Sequence, residues 1–215
     1  MHFETGHLYH IYNRGNNSQK IFYNRENSLF FLKKIKQYII PYSELLAWVL
    51  MPNHFHLMVY VNDVILDVNE VGNTNTESLT SSETLSISAS DRKPPKLRSF
   101  NDSIGIMLRT YARAIQKKEN LSGSLFQEHT KANCLTKPVE IGFSWFYEDY
   151  ELQENCMNDK EDYATACFRY IHENPTKAGL CTSITDWEFS SAPDYFGSRN
   201  GKLINKKRAR EFGLY

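Results

Sequence analysis

The chain has 215 residues, of which 41% are hydrophobic and 23% charged, the balance of one globular domain or of one domain carrying an insertion. Lys plus Arg and Asp plus Glu both number 25, so the net charge is zero, which argues against a protein that coats duplex DNA by bulk electrostatics but leaves room for a local basic groove. No stretch is long and apolar enough to span a bilayer, the N-terminus lacks the basic start and apolar run of a secretory signal, and Cys134, Cys156, Cys167 and Cys181 form no Cys-x-x-Cys pair, so a cytoplasmic protein with reduced thiols is expected rather than a zinc cluster or disulfide framework.

In chain order, Leu8–Arg14 has strand character and runs into the turn-rich Gly15-Asn16-Asn17-Ser18. Asn24 is placed to cap a helix whose apolar positions, Phe30, Phe31, Leu32, Ile35 and Ile39, follow helical period. Leu45–Met51 is continuously apolar and reads as a central strand. Pro52-Asn53 interrupts it, and His54–Val61 follows at once, so the two runs predict an antiparallel hairpin.

From about 69 to 95 the composition turns to Asn, Thr, Ser and Glu and ends in a basic, proline-containing stretch, which predicts a flexible insertion. A helix from about Ser99 carries Ile104, Met107, Leu108, Tyr111, Ala112 and Ile115 on one face. Leu121–Phe126 reads as a turn into a further strand that continues towards Leu135. Residues 137–160, acidic and aromatic, read as a second insertion. A last helix is predicted from near Asp159 to near Asn174, because Pro175 disfavours helical geometry in the residue before it. This order predicts an α+β fold, a ferredoxin-like antiparallel sheet with helices on one face. One domain spans 1–196, and 197–215 forms a basic C-terminal tail.

Two groups of residues carry chemistry. In a strand, positions i and i+2 point to the same side, so His54 and His56 project together. Paired imidazoles make half of a transition-metal site, although a bare His-x-His is a weak signal without its context. On the last helix, Tyr170 and Asn174 are i and i+4 and share a face, which suits a nucleophile beside an amide oxygen ligand. Tyr111 is the rival nucleophile, but its apolar helix face argues for core packing. Tyr163 lacks an Asn at i+4. An unrelated metal hydrolase would need clustered acidic ligands, which the pattern does not offer.

Met51-Pro52-Asn53-His54-Phe55-His56-Leu57 resembles the His-hydrophobic-His motif of HUH endonucleases. Together with Tyr170-Ile171-His172-Glu173-Asn174-Pro175-Thr176-Lys177-Ala178-Gly179, it is similar to the single-tyrosine transposases associated with REP palindromes. Tyr9–Asn17, Gly123–Glu128 and Asp186–Ser191 fit the same pattern, so the resemblance spans roughly residues 8 to 196 across two variable segments. Several ordered motifs over that length are far more specific than any one alone. The chain departs from the pattern at His129, where relatives commonly carry an arginine, and in the length of 137–160.

The resemblance implies a transposase acting on single-stranded hairpin or palindromic DNA. Tyr170 would attack a phosphodiester to leave a 5′-phosphotyrosine and a free 3′-hydroxyl. His54, His56 and Asn174 would hold Mg²⁺ or Mn²⁺, the donor set suiting Mn²⁺ on ligand type. Candidate DNA contacts are Arg14, Arg98, Arg109, Arg113 and Lys131, with Lys131 taking the phosphate contact that His129 cannot. The long insertions favour a monomer over a homodimer. The alternative is a DNA-binding protein that keeps the fold and has lost turnover.

Overall fold

The computed structural model describes residues 1–71, 95–137, 162–197 and 199–215. The greater part of both expected insertions, and Cys156, lie outside these residues. The described elements run β1 (Leu8–Arg14), α1 (Arg25–Tyr38), β2 (Ser43–Met51), β3 (His54–Val61), β4 (Ile65–Asp67), α2 (Val68–Val71), β5 (Leu97–Ser99), α3 (Phe100–Glu119), β6 (Lys131–Cys134), α4 (Tyr163–Lys177), α5 (Ala192–Phe196) and α6 (Lys206–Glu211). Strands β2-β3-β1-β6 form one sheet in that order, and β4 and β5 form a separate pair. Every pairing in the large sheet is antiparallel. Two parallel strands, β1 and β2, are thus split by β3, the ferredoxin-like order expected of strand, helix, hairpin, helix, strand.

Alternation along the strands sorts side chains into two layers. Tyr9 and Ile11 of β1 and Phe55, Leu57, Val59 and Val61 of β3 join the core that α1 and α3 cover. Asn24 caps α1 through its side chain, and Ser99 does the same for α3. Leu8 and Met58 face the opposite way, into a second core built with α4 and α6. The α+β class and antiparallel sheet therefore stand, but helices cover both faces: α1 and α3 lie on one, and the helix carrying Tyr170 lies on the other.

β2 reads as a central strand in sequence and is an edge strand in the sheet. Its continuous apolar run has two causes. Both faces are covered, and a bulge between Leu45 and Ala47 shifts the register, so that Leu46 and Ala47 both enter the second core. Its outer edge is closed by Phe189, Ser191 and Asn205. Leu50 N donates to Phe189 O at 2.8 Å, Ser191 N to Trp48 O at 2.9 Å and Asn205 N to Leu45 O at 2.8 Å. Covering an edge in this way removes a template for aggregation. The C-terminal residues continue this packing: Ala209 and Leu214 are buried, and Arg208 Nε donates to Glu44 Oε2 at 2.8 Å.

The Tyr170 helix runs past the expected stop at Asn174. Pro175 sits inside it, and Asp162 caps its start by accepting from Thr165 N at 2.7 Å. The proline only removes one donor near the helix end. Ala178 N still donates to Asn174 O at 3.0 Å and Leu180 N to Pro175 O at 2.9 Å. Gly179 closes the helix with φ of 68°, a left-handed conformation that costs glycine little. Near the site, Gly15 must also be glycine, since an added Cβ would collide with the carbonyl oxygen of Gln19.

A buried bond fixes the rotation of α4. His172 Nε2 lies 2.7 Å from Ser191 Oγ, and that hydroxyl is 3.2 Å from Trp48 O. With the hydroxyl donating to the carbonyl, the imidazole Nε2–H donates to the hydroxyl. Burial holds the His172 pKa down to about 3, against a smaller upward pull from Asp194. Asp194 is itself buried, but Arg199 Nε and Gly201 N both donate to its Oδ1 at 2.8 Å.

Tyr111 is fully buried and its hydroxyl donates to Ile21 O at 2.7 Å, while burial raises its pKa far above the ordinary phenol value. Tyr111→Phe should lower the unfolding free energy by about 1 kcal/mol in urea titrations and leave any DNA chemistry intact. For His172, the unfolded ring titrates near 6.5 and the folded ring near 3. The unfolded state therefore binds the extra proton between those values, and stability falls as pH drops through that window. His172→Gln should be less stable than wild type at pH 7, with a gap that narrows towards pH 4. A gap constant across that range would show that His172 is not held neutral.

Candidate active site

The even-numbered residues of β1 and β3 supply the floor of the site. Register places Tyr12 opposite His56 and Arg14 opposite His54 on the face that α4 covers. The tight Pro52-Asn53 turn fixes where the His pair begins, because Ile21 N donates to Pro52 O at 2.9 Å and Gly15 N to Asn53 O at 2.7 Å. Phe55, between the two histidines, is fully buried in the opposite core and holds their strand in place.

His54 and His56 have ring centroids 5.0 Å apart. His54 Nδ1 is 2.7 Å from Asn53 Oδ1, and its Nε2 is 3.3 Å from Asn174 Oδ1. The Asn174 amide is oriented from behind, since its Nδ2 donates to Tyr170 O at 3.2 Å. With the His54 proton given to Asn53, Nε2 turns a lone pair towards the Asn174 oxygen. Two acceptors facing each other at that distance suit a cation between them.

His56 is 5% exposed and its Nδ1 lies 2.9 Å from His10 Nε2. Its Nε2 is buried and has no hydrogen-bond partner, which a buried polar atom rarely tolerates. Burial, together with the neighbouring His10 and His54, holds the His56 pKa well below the usual imidazole value. Burial likewise lowers that of His10 to about 3. Both rings are neutral at pH 7, the form in which imidazole binds metals. Among the described residues no group of three or more His, Cys, Asp or Glu side chains could hold a metal ion. A metal held by His54 and His56 would find the oriented Asn174 Oδ1, 3.3 Å from His54 Nε2, in reach as a further ligand.

Tyr170 completes the group. Its ring stands edge-on to His56 at 5.3 Å between centroids and to His10 at 6.3 Å. It is half-buried, packed against the second core through a helix whose Cys167, Phe168 and Ile171 are buried. Tyr170, Asn174, His54 and His56 thus meet across the contact between α4 and the sheet. Tyr111 belongs to the core on the other face.

The basic residues divide by face. Lys131 lies opposite Tyr12 in register, with Nζ 5.8 Å from the Tyr12 ring centroid. Arg14, opposite His54, donates from Nη2 to Ser18 Oγ at 3.1 Å. Both border the His pair. Arg109 and Arg113 are exposed on α3, which packs on the opposite face, and Arg98 lies in the small β4–β5 sheet.

Sequence reasoning quoted His10 within a motif and gave it no role. Its signal was a polar side chain at a strand position whose alternation points to the face of His54 and His56 rather than to the α1 and α3 core. Tyr12 was missed in the same way. It stacks on His10 at 4.7 Å and on His56 at 5.7 Å between centroids.

No protein-family model and no curated protein matches the chain. Among solved structures, it is similar to a REP-associated tyrosine transposase bound to a REP hairpin, with a TM-score of 0.43 and 14% sequence identity, over 100% of this chain and 86% of that one. At that TM-score the likeness carries neither fold nor function, and the fold is read from the sheet topology. No helix among the described residues is long and apolar enough to cross a membrane.

Proposed function

We propose that the chain is a metal-dependent transesterase of single-stranded, hairpin-forming DNA, a transposase of the single-tyrosine HUH type. Tyr170 is the nucleophile, and His54, His56 and Asn174 hold Mg²⁺ or Mn²⁺. The observation that carries this reading is the meeting of Asn174 Oδ1 with His54 Nε2 at 3.3 Å beside the unpartnered Nε2 of His56 and the Tyr170 ring. Residues 120 positions apart in sequence converge on one point that core packing alone does not require.

A free phenol titrates near 10 and is a weak nucleophile at neutral pH. A bound divalent cation would polarise the phosphate and stabilise charge that develops on its oxygens. Tyr170 Oη bonds to phosphorus while the bond from phosphorus to the 3′ oxygen breaks. The phenolic proton is lost and the departing 3′ oxygen gains one, so protons balance. The phosphodiester survives as a 5′-phosphotyrosine, and a 3′-hydroxyl can attack it to rejoin DNA without ATP. His54 and His56, on a strand anchored in the core, and Asn174, one helical turn from Tyr170, keep nucleophile and ligands in fixed relation. Arg14 and Lys131, bordering the His pair, are suited to the phosphates nearest the broken bond.

The test is incubation with single-stranded hairpin DNA and Mn²⁺ or Mg²⁺, followed by denaturing electrophoresis. Wild type should give a covalent protein–DNA adduct and Tyr170→Phe none. Asn174→Ala should slow adduct formation about 100-fold, the scale of loss when reacting groups are misplaced by an ångström. An adduct retained by Tyr170→Phe would overturn the assignment. Tight hairpin binding with no adduct from wild type would favour a DNA-binding protein without turnover.

A further inference from the structure

His10 has no part in the ligand set, yet it is among the most completely buried polar residues of the protein, 0% exposed. It lies on β1 with its Nε2 2.9 Å from His56 Nδ1. The two rings are close to parallel, with 21° between planes and centroids 5.0 Å apart. Tyr12 also stacks on His10, with 21° between planes and centroids 4.7 Å apart, and its centroid lies 5.7 Å from that of His56. The contact is diagonal across the sheet, since His10 is opposite Met58 and Tyr12 is opposite His56.

Counting protons gives this contact a consequence. A neutral imidazole carries one N–H and one lone pair, and the bond between the rings uses one of each. If His10 Nε2–H is the donor, the His56 proton must sit on Nε2. That nitrogen would then be a buried N–H with no acceptor, and no lone pair would face the site. If His56 Nδ1–H is the donor, Nε2 is bare and turned to the place that His54 Nε2 and Asn174 Oδ1 share. The second arrangement requires His10 to accept at Nε2 and so to carry its own proton on Nδ1, a nitrogen buried like His56 Nε2; each arrangement thus leaves one buried N–H to satisfy, and the lone pair turned to the site decides between them.

We infer that His10 is the positioning residue of the metal site: it accepts the Nδ1–H of His56 and thereby leaves the His56 Nε2 lone pair for the cation. This rests on the proposed metal-holding role of His54, His56 and Asn174. A metal-bound histidine generally donates its second N–H to a carboxylate, a backbone carbonyl or water. Here a second imidazole fills that place, with its Nε2 2.9 Å from His56 Nδ1. His10 itself touches neither cation nor DNA.

Two measurements on the full chain test this. In metal-free wild type labelled with ¹⁵N-histidine, long-range ¹H–¹⁵N spectra at pH 7 should show the His56 proton on Nδ1. A His56 Nε2–H signal overturns the inference whether or not metal binds. The second is Mn²⁺ affinity by electron paramagnetic resonance. His10→Phe keeps a ring against Tyr12 but removes the acceptor, and should weaken binding about 10–100-fold, the usual cost of losing such a partner. His10→Gln offers an amide oxygen where Nε2 stood and should restore most of that loss. Wild-type affinity in His10→Phe overturns the role of His10 while leaving the metal site standing. Failure of wild type to bind Mn²⁺ contradicts the metal site itself, and the position of the His56 proton is still read from the spectra.

Discussion

Both faces of the four-stranded sheet are buried, and strand alternation decides which layer each side chain joins. Along β1 and β3 one set of residues feeds the core under α1 and α3, and the other set turns towards α4. The site is the place where the second set becomes polar. His10, Tyr12, His54 and His56 replace the aliphatic residues that would otherwise continue the α4 core. Burying polar rings such as His10 and His56 is costly unless each finds a partner. The hydrogen bonds of His10 with His56 and of His54 with Asn53 meet part of that demand, and His54 Nε2 and Asn174 Oδ1 are left facing each other.

The helix is held as firmly as the floor. His172 faces away from Tyr170 and bonds to Ser191, whose backbone N–H and hydroxyl also engage Trp48 on β2. Residues 187–191 therefore have two functions: they seal the edge of β2 and set how α4 is turned. A rotation of the helix by one residue, about 100° at 3.6 residues per turn, would carry Tyr170 and Asn174 away from the His pair. The buried Asp194 with Arg199 and Gly201 stabilises the same segment.

Much of this was legible in the sequence because it is written in local period. The extents of β1 and β3 follow from their strand-like runs and the Pro52-Asn53 break, and Asn24 as a helix cap follows from its side chain. The pairing of His54 with His56, and of Tyr170 with Asn174, needs only strand and helix geometry. What local period cannot show is which partner covers which face. The apolar run of β2 fits a central strand as well as a bulged edge strand closed by Phe189, Ser191 and Asn205. Pro175 signals a helix end that the following turn and Gly179 postpone. His10 reads as one polar residue in a mixed strand, and its meaning depends on a diagonal neighbour 46 residues away.

The central claim is that α4 and β3 bring one nucleophile and its ligands to a single point. Mass spectrometry of the protease-released, DNA-linked peptide tests it most directly. A nucleotide remnant on Tyr170 is the predicted result. A remnant on Tyr111, Tyr163 or any other residue would contradict the account.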